Sequence, residues 1–208
     1  MKKTAQMIMA VVTALIVALP MMGAERVKVT SEGIKARMGE RPALLEKFNK
    51  GEQLTPEDMA VVYYGQAYLP GKSVAESYPD VDAAYAKKDY PATLTLVDEV
   101  LRTNPVALNQ LFRGYVCAAS STEPRIKARA ASFENRINNI CSVIYATGTG
   151  VTNDSPFIVL SKEDGAAFLR NYLQPEGIVD QTSIDKLDAY KVKWPGQNDP
   201  VIFYFGRP

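Results

Sequence analysis

Histidine is absent from all 208 residues of this chain. That removes the side chain that ordinarily titrates near neutral pH, the commonest metal ligand, and every Ser–His or Cys–His nucleophile pair. Only carboxylate or lysine chemistry stays open to an enzyme. One-signed charge is equally scarce, with 24 lysines and arginines against 23 acids and a formal net charge of +1. Such a balance builds no field to hold nucleic acid or an anionic membrane, and neither is expected as a partner. Cysteine occurs only at positions 117 and 141. If Ala107–Ala119 and Arg125–Tyr145 are antiparallel helices turning near Ser121–Pro124, the two thiols lie at different heights. They are then offset by roughly 20 Å along the helix axis, whereas a disulfide needs Cα atoms within about 7 Å. Cys117 and Cys141 are therefore expected as two buried, unbridged thiols.

Long apolar runs are missing too, except at the start. Lys2 and Lys3 precede an uncharged, largely apolar stretch from Met7 to Met22, and small Gly23 and Ala24 stand before charged Glu25. Basic start, apolar centre and small-residue end are the layout of a secretory signal peptide. A membrane span needs about 20 apolar residues, and Pro20 falls late in a shorter run. Residues 1–24 are expected to be cleaved, leaving 25–208 exported to the periplasm or outside the cell, with no stable membrane insertion. Removing two lysines and no acid moves the net charge to about −1, still without a field for nucleic acid. The remainder suits a single domain with a real core.

Local signals divide it into a helical part, about 41–146, and an α/β part, about 156–205. A short helix is expected at Arg41–Lys50, after an exposed arm, with Leu44, Leu45 and Phe48 as its apolar stripe. Thr55-Pro56-Glu57-Asp58 is a strong helix start: a capping hydroxyl, a proline suited to the first turn, and two acids facing the positive dipole end. Met59, Val62, Tyr63, Ala67 and Tyr68 follow at helical spacing, until Pro70-Gly71. Val81–Lys88, a Lys88-Asp89-Tyr90 turn, a helix through Arg102, then Asn104-Pro105 and a third helix give the order of a tetratricopeptide-type hairpin. Thr93, Val97 and Val100 fall on its packing positions, and Leu111, Gly114, Tyr115 and Ala118 on those of the next helix. One and a half such repeats make a helical-hairpin core and not a superhelix.

After Tyr145 the character changes. Ala146–Ser155 is a Gly/Thr/Asn/Asp loop, Phe157–Leu160 reads as a buried strand, and Ser161 with Asp164 resembles a capping box for a helix over Lys162–Tyr172. Tyr190–Trp194 and Val201–Phe205 read as a hairpin around Pro-Gly-Gln-Asn-Asp-Pro, with Phe157–Leu160 able to pair with it. The expected fold is α+β, mainly α: tetratricopeptide-like helical hairpins followed by a small antiparallel sheet packed on the helices.

The order of these motifs resembles a known family. Leu54-Thr55-Pro56-Glu57-Asp58 leads to Tyr63-Tyr64-Gly65; Asp89-Tyr90 and Asn104-Pro105 follow, then Thr147-Gly148-Thr149-Gly150, Pro156-Phe157-Ile158-Val159 and Phe203-Tyr204-Phe205. Together, over Arg41 to Phe205, they are similar to the DUF4919 family, exported proteins of Gram-negative bacteria with no assigned activity. The resemblance implies a fold and carries over no catalytic residue.

Four features invite a functional reading. In the loop 148–155, Gly148, Thr149, Gly150 and Asp154 offer a backbone nest for an anion or oxygens for a cation; the same residues also suit a helix end followed by a strand-entry turn. The chain lacks the ligand spacing of an EF-hand and the lysine of a P-loop, and no metal or cofactor is expected. Tyr63, Tyr64, Tyr68, Tyr78, Tyr85 and Tyr90 crowd one region; they either pack hairpins together or line a groove, with Tyr64 and Tyr68 the expected exposed members. The acid pairs Glu57/Asp58, Asp80/Asp82, Glu163/Asp164 and Asp185/Asp188 are set against the two-carboxylate requirement of a glycosidase. Two of them suit helix N-termini, and Asp185/Asp188 read as solvent-facing helix residues. Arg125, Lys127, Arg129 and Arg136 form a basic face opposite Ile126, Phe133, Ile137 and Ile140. The function these readings favour is a non-catalytic scaffold that docks a protein or peptide, with a small-ligand or carbohydrate-binding accessory protein as the alternative and a carboxylate-dependent enzyme behind both. Oligomeric state is not readable from the sequence.

Overall fold

Capping chemistry sets where the helices begin. In a computed structural model, which describes residues 26–70, 77–184 and 186–208, the Thr30 hydroxyl accepts from Gly33 N to open α1 (Ser31–Ala36). The expected exposed arm is thus partly built in: Val27 is buried, and its N–H donates to Ala146 O at 3.0 Å. The segment read as a signal peptide, residues 1–24, lies outside the described residues. Helix α2 (Arg41–Asn49) buries Leu44 and Phe48. Thr55 caps α3 (Pro56–Tyr64) through Asp58 N, and a 3₁₀ turn, Gly65–Tyr68, extends it. Helix α4 (Pro79–Ala86) ends at Lys88, whose φ of 59° turns the chain into α5 (Tyr90–Thr103), capped by Asp89 through Ala92 N. Helices α6 (Leu108–Ala119) and α7 (Pro124–Thr147) form the main hairpin. Gly114 lets them close: a Cβ there would stand 2.6 Å from the Phe133 ring. Cys117 and Cys141 are both buried and free.

The C-terminal part differs in detail from the pattern read in the sequence. Strand β1 is only Phe157–Ile158, and α8 (Lys162–Ala167) gives way to a π-helical turn, Phe168–Leu173, instead of running on as an α-helix. Strands β2 (Gly177–Ile184), β3 (Leu187–Lys193) and β4 (Val201–Gly206) follow. The helix assumed around Asp188 is therefore a strand, and Asp188 is buried; Asp185 lies outside the described residues. The sheet runs β1-β4-β3-β2. The pair β3–β4 is antiparallel, as expected of the hairpin; β2, not expected as a strand, pairs antiparallel with β3, while β1 joins β4 in parallel, with Phe157 beside Phe205. The sheet is thus mixed. Between β1 and β4 the chain runs through α8, the π-helical turn and the β2–β3 hairpin, the long connection that parallel pairing requires.

Phe157 occupies the seam between sheet and helices. Its ring lies 5.2 Å from Phe168, 5.7 Å from Phe205 and 6.3 Å from Phe203. Tyr190 and Val192 of β3 face the same core as Phe203 and Phe205 of β4. This single aromatic seam binds the two parts into one hydrophobic cluster.

Candidate functional site

The most concentrated polar chemistry is buried. Ser161 Oγ accepts from Asp164 N at 3.0 Å, which starts α8 and leaves the Asp164 carboxylate to reach across the core. Its Oδ1 accepts from Leu108 N at 3.0 Å, at the start of α6, where Ala107 has no side chain able to cap. Its Oδ2 accepts from Tyr63 OH at 2.8 Å, and that phenol oxygen in turn accepts from Leu160 N at 3.2 Å. Asp164 is therefore an N-cap supplied in trans, and it clasps α3, α6 and α8 together. Burial pushes its carboxyl up to about 6, against the hydrogen bonds from Tyr63 and from the N–H groups of Leu108 and Asn109, which pull it down. Burial likewise raises the Tyr63 and Tyr64 phenols and the Cys141 thiol, so all three stay neutral.

Sequence reasoning marked Ser161 and Asp164 as a cap but assigned the Asp164 side chain to its own helix end. It also placed Tyr64 on an exposed face. The structure places Tyr64 fully inside, its hydroxyl donating to Ile158 O at 2.8 Å, with Ile158 N donating to Thr147 Oγ1 at 2.9 Å. Consecutive Tyr63 and Tyr64 both point inward because the short α3 is buried from Met59 to Tyr64. Tyr68 is half-buried, its ring under Lys35 Nζ at 5.0 Å. The two tyrosines thus share no exposed groove.

In the loop, the N–H groups a nest would offer are already used. Thr149 N and Gly150 N both donate to Ser155 O, at 3.1 and 2.8 Å, and Thr149 N also reaches Ser155 Oγ at 3.1 Å. Gly150 has φ +71°, and a Cβ on it would meet the Phe157 ring at 2.2 Å; one on Gly148 would meet Pro156 O at 2.4 Å. These glycines serve close packing, and Gly150 O accepts from Tyr204 N at 2.7 Å, stitching the loop to β4. Asp154 stands exposed in this loop.

Of the basic face of α7, Arg125 and Lys127 stand exposed, while Arg129 and Arg136 are engaged in the fold. Arg129 pairs with Asp98, and Arg136 lies over the Phe48 ring and donates to Pro105 O at 2.7 Å. Burial lowers the Arg136 guanidinium to about 10. Arg41, also buried, donates to Val62 O and Gln66 Oε1 near the end of α3. Buried Asp188 is held by Arg207 at 2.5 Å and Lys162 at 3.7 Å, and accepts from Ser183 Oγ at 3.0 Å. Among the described residues, no group of three acids or cysteines is placed to hold a metal ion, and no helix is long and apolar enough to cross a membrane.

What faces solvent is the β2 side of the sheet. Its inward side chains are tied down, Gln181 donating to Tyr190 OH at 3.0 Å and Ser183 to Asp188. Among the described residues its other edge carries no strand, and Val179 (59% exposed) and Ile184 (49%) stand in solvent, with Ile202 of β4 (39%) on the same sheet. A register shift between Ile178 and Asp180 bulges one end, and Asp180 is the only charge on the strand. Lysine and proline, which usually guard such edges, are missing from it.

The arrangement defines a class: a mixed α+β domain in which Asp164, Asp188 and Arg136 are engaged in internal clasps and one side of the sheet ends in a solvent-facing strand. The chain belongs to the DUF4919 family, a domain of unknown function whose sequence profile matches residues 31–205. No curated protein and no solved structure matches the chain.

Proposed function

We propose that the domain is an exported, non-catalytic scaffold that binds a protein or peptide partner by adding an extended segment to the free edge of β2. The observation that carries this reading is the unpaired edge with Val179 and Ile184 standing in solvent. Gln181 N already donates to Asp180 Oδ1 at 2.8 Å; the outward N–H and C=O groups left on an edge strand are matched by an extended chain, and alternate exposed side chains supply selectivity. Asp164, Asp188 and Arg136 are engaged inside the fold and face no open cleft as a catalytic pair. The N-terminal run supports export, and N-terminal sequencing of envelope-derived protein should begin near Glu25; protein retaining Met1 would overturn that part of the reading.

Mild cross-linking in the native cell envelope, followed by purification and mass spectrometry, tests the scaffold. One stoichiometric protein partner is expected, and Val179→Lys with Ile184→Lys should abolish its capture without lowering the melting temperature. Recovery of the protein alone, or only with itself, would overturn the proposal.

A further inference from the structure

The ladder between β2 and β3 fixes which backbone groups the open edge offers. Glu176 N donates to Lys193 O at 2.8 Å, so Lys193 turns its backbone toward β2. Backbone direction alternates along a strand, and Lys191, Ala189 and Leu187 therefore face β2 as well. Their register partners Asp180, Thr182 and Ile184 face back toward β3. Gln181 and Ser183, between them, are left with N–H and C=O groups aimed outward at the edge. The first of those donors is taken: Gln181 N donates to Asp180 Oδ1 at 2.8 Å. Because that N–H points outward, the bond draws the carboxylate over the edge and away from Lys191, its register partner on β3. Among the described residues Asp180 forms no ion pair, and its side chain is exposed. Side chains alternate along a strand, so Asp180 shares the outer face of β2 with Thr182 and Ile184, while Gln181 and Ser183 reach inward to Tyr190 and Asp188.

We propose that Asp180 selects the partner of this edge, admitting an extended segment that carries a lysine or arginine beside Asp180 and an apolar residue four positions away, beside Ile184. The inference rests on edge docking as the mode of binding and adds the chemistry of the partner. An added strand must present a C=O to Gln181 N, which the carboxylate already occupies. A neutral segment leaves the carboxylate to compete for that donor. An acidic one sets a like charge directly alongside, which is destabilising in a cross-strand pair. A cation on the outer face of the incoming chain gives the carboxylate an opposite charge to turn to, and frees the Gln181 N–H for the new ladder. The spacing follows from the face: Asp180 and Ile184 stand four residues apart on one side of β2, and side chains on one side of the added chain recur at every second position.

Short synthetic peptides of alternating threonine and valine, with lysine, threonine or glutamate in place of one central valine, test it on the purified protein at low salt. Fluorescence anisotropy should rank them lysine, threonine, glutamate, with the lysine peptide about tenfold tighter than the glutamate one. Amide shifts at Gln181 and Ser183 should mark the docked edge. Asp180→Asn keeps an acceptor for Gln181 N but removes the charge, and should erase the ranking; Asp180→Lys should invert it. Equal affinities in the native protein, a glutamate preference, or a ranking that survives Asp180→Asn would overturn selection by Asp180 and leave edge docking standing. No binding of any peptide to the native protein or to either variant would overturn edge docking, and the selection with it.

Discussion

Tyr63→Phe removes one oxygen atom from the interior and should be among the most damaging conservative substitutions in the chain. That oxygen donates to Asp164 Oδ2 at 2.8 Å and accepts from Leu160 N at 3.2 Å. Without it, a buried carboxylate oxygen and a buried N–H both lose their partners. Each orphaned group costs about 1–3 kcal/mol, more where charge is involved, so the sum is about 3–5 kcal/mol. Against a typical total of about 5–15 kcal/mol, the variant should be marginal. The adjacent residue is a built-in control. Tyr64→Phe leaves the Ile158 carbonyl without its 2.8 Å donor but orphans no ion, and should cost about 1–2 kcal/mol. Urea denaturation followed by far-UV circular dichroism, with the slope unchanged between variants, reads the difference directly. Losing the Tyr63 hydrogen bond also removes one of the groups that lower the Asp164 carboxyl, so stability should fall away at a higher pH than in the native protein. A Tyr63→Phe protein no less stable than Tyr64→Phe would refute the assignment of this clasp as the joint between the helical and C-terminal parts.

Two further outcomes follow from the same packing. Gly150→Ala combines a left-handed φ of +71° with a Cβ 2.2 Å from the Phe157 ring; it should lower stability by about 2–4 kcal/mol, and a thermal melt within a degree or two of native would contradict the close approach. Asp188→Asn removes the buried carboxylate that faces partly exposed Arg207 and should cost about 1–2 kcal/mol through its lost charge-assisted hydrogen bonds, checked by the same denaturation series. An unchanged midpoint would place that ion pair in solvent.

Helix starts were the most legible features because their chemistry is local. Thr55, Asp89 and Ser161 each accept from an N–H three residues ahead, well inside a short reading window. The role of Asp164 was not legible, since its partners lie 56 and 101 residues away and nothing in a capping box says the carboxylate will cap a different helix. Strand β2 went unread for the opposite reason. Gly-Ile-Val-Asp-Gln-Thr-Ser-Ile is exposed along nearly its whole length, so it shows no alternation of apolar and polar residues, and its strand character comes from pairing with β3. Tyr64 was misplaced because a short helix buried along its whole second half has no polar face from which to judge orientation. The glycines at 148 and 150 fit either a nest or a packing role in sequence; only the donors aimed at Ser155 O separate the two.

The order β1-β4-β3-β2 places the last described strand, Val201–Gly206, between two others. During synthesis, β1 has no sheet to join and the Phe157 face stays uncovered until that segment leaves the ribosome. The nascent chain therefore cannot lock into its final shape early. The same order makes even a short deletion at residues 201–206 a lesion of the whole sheet and not of its margin.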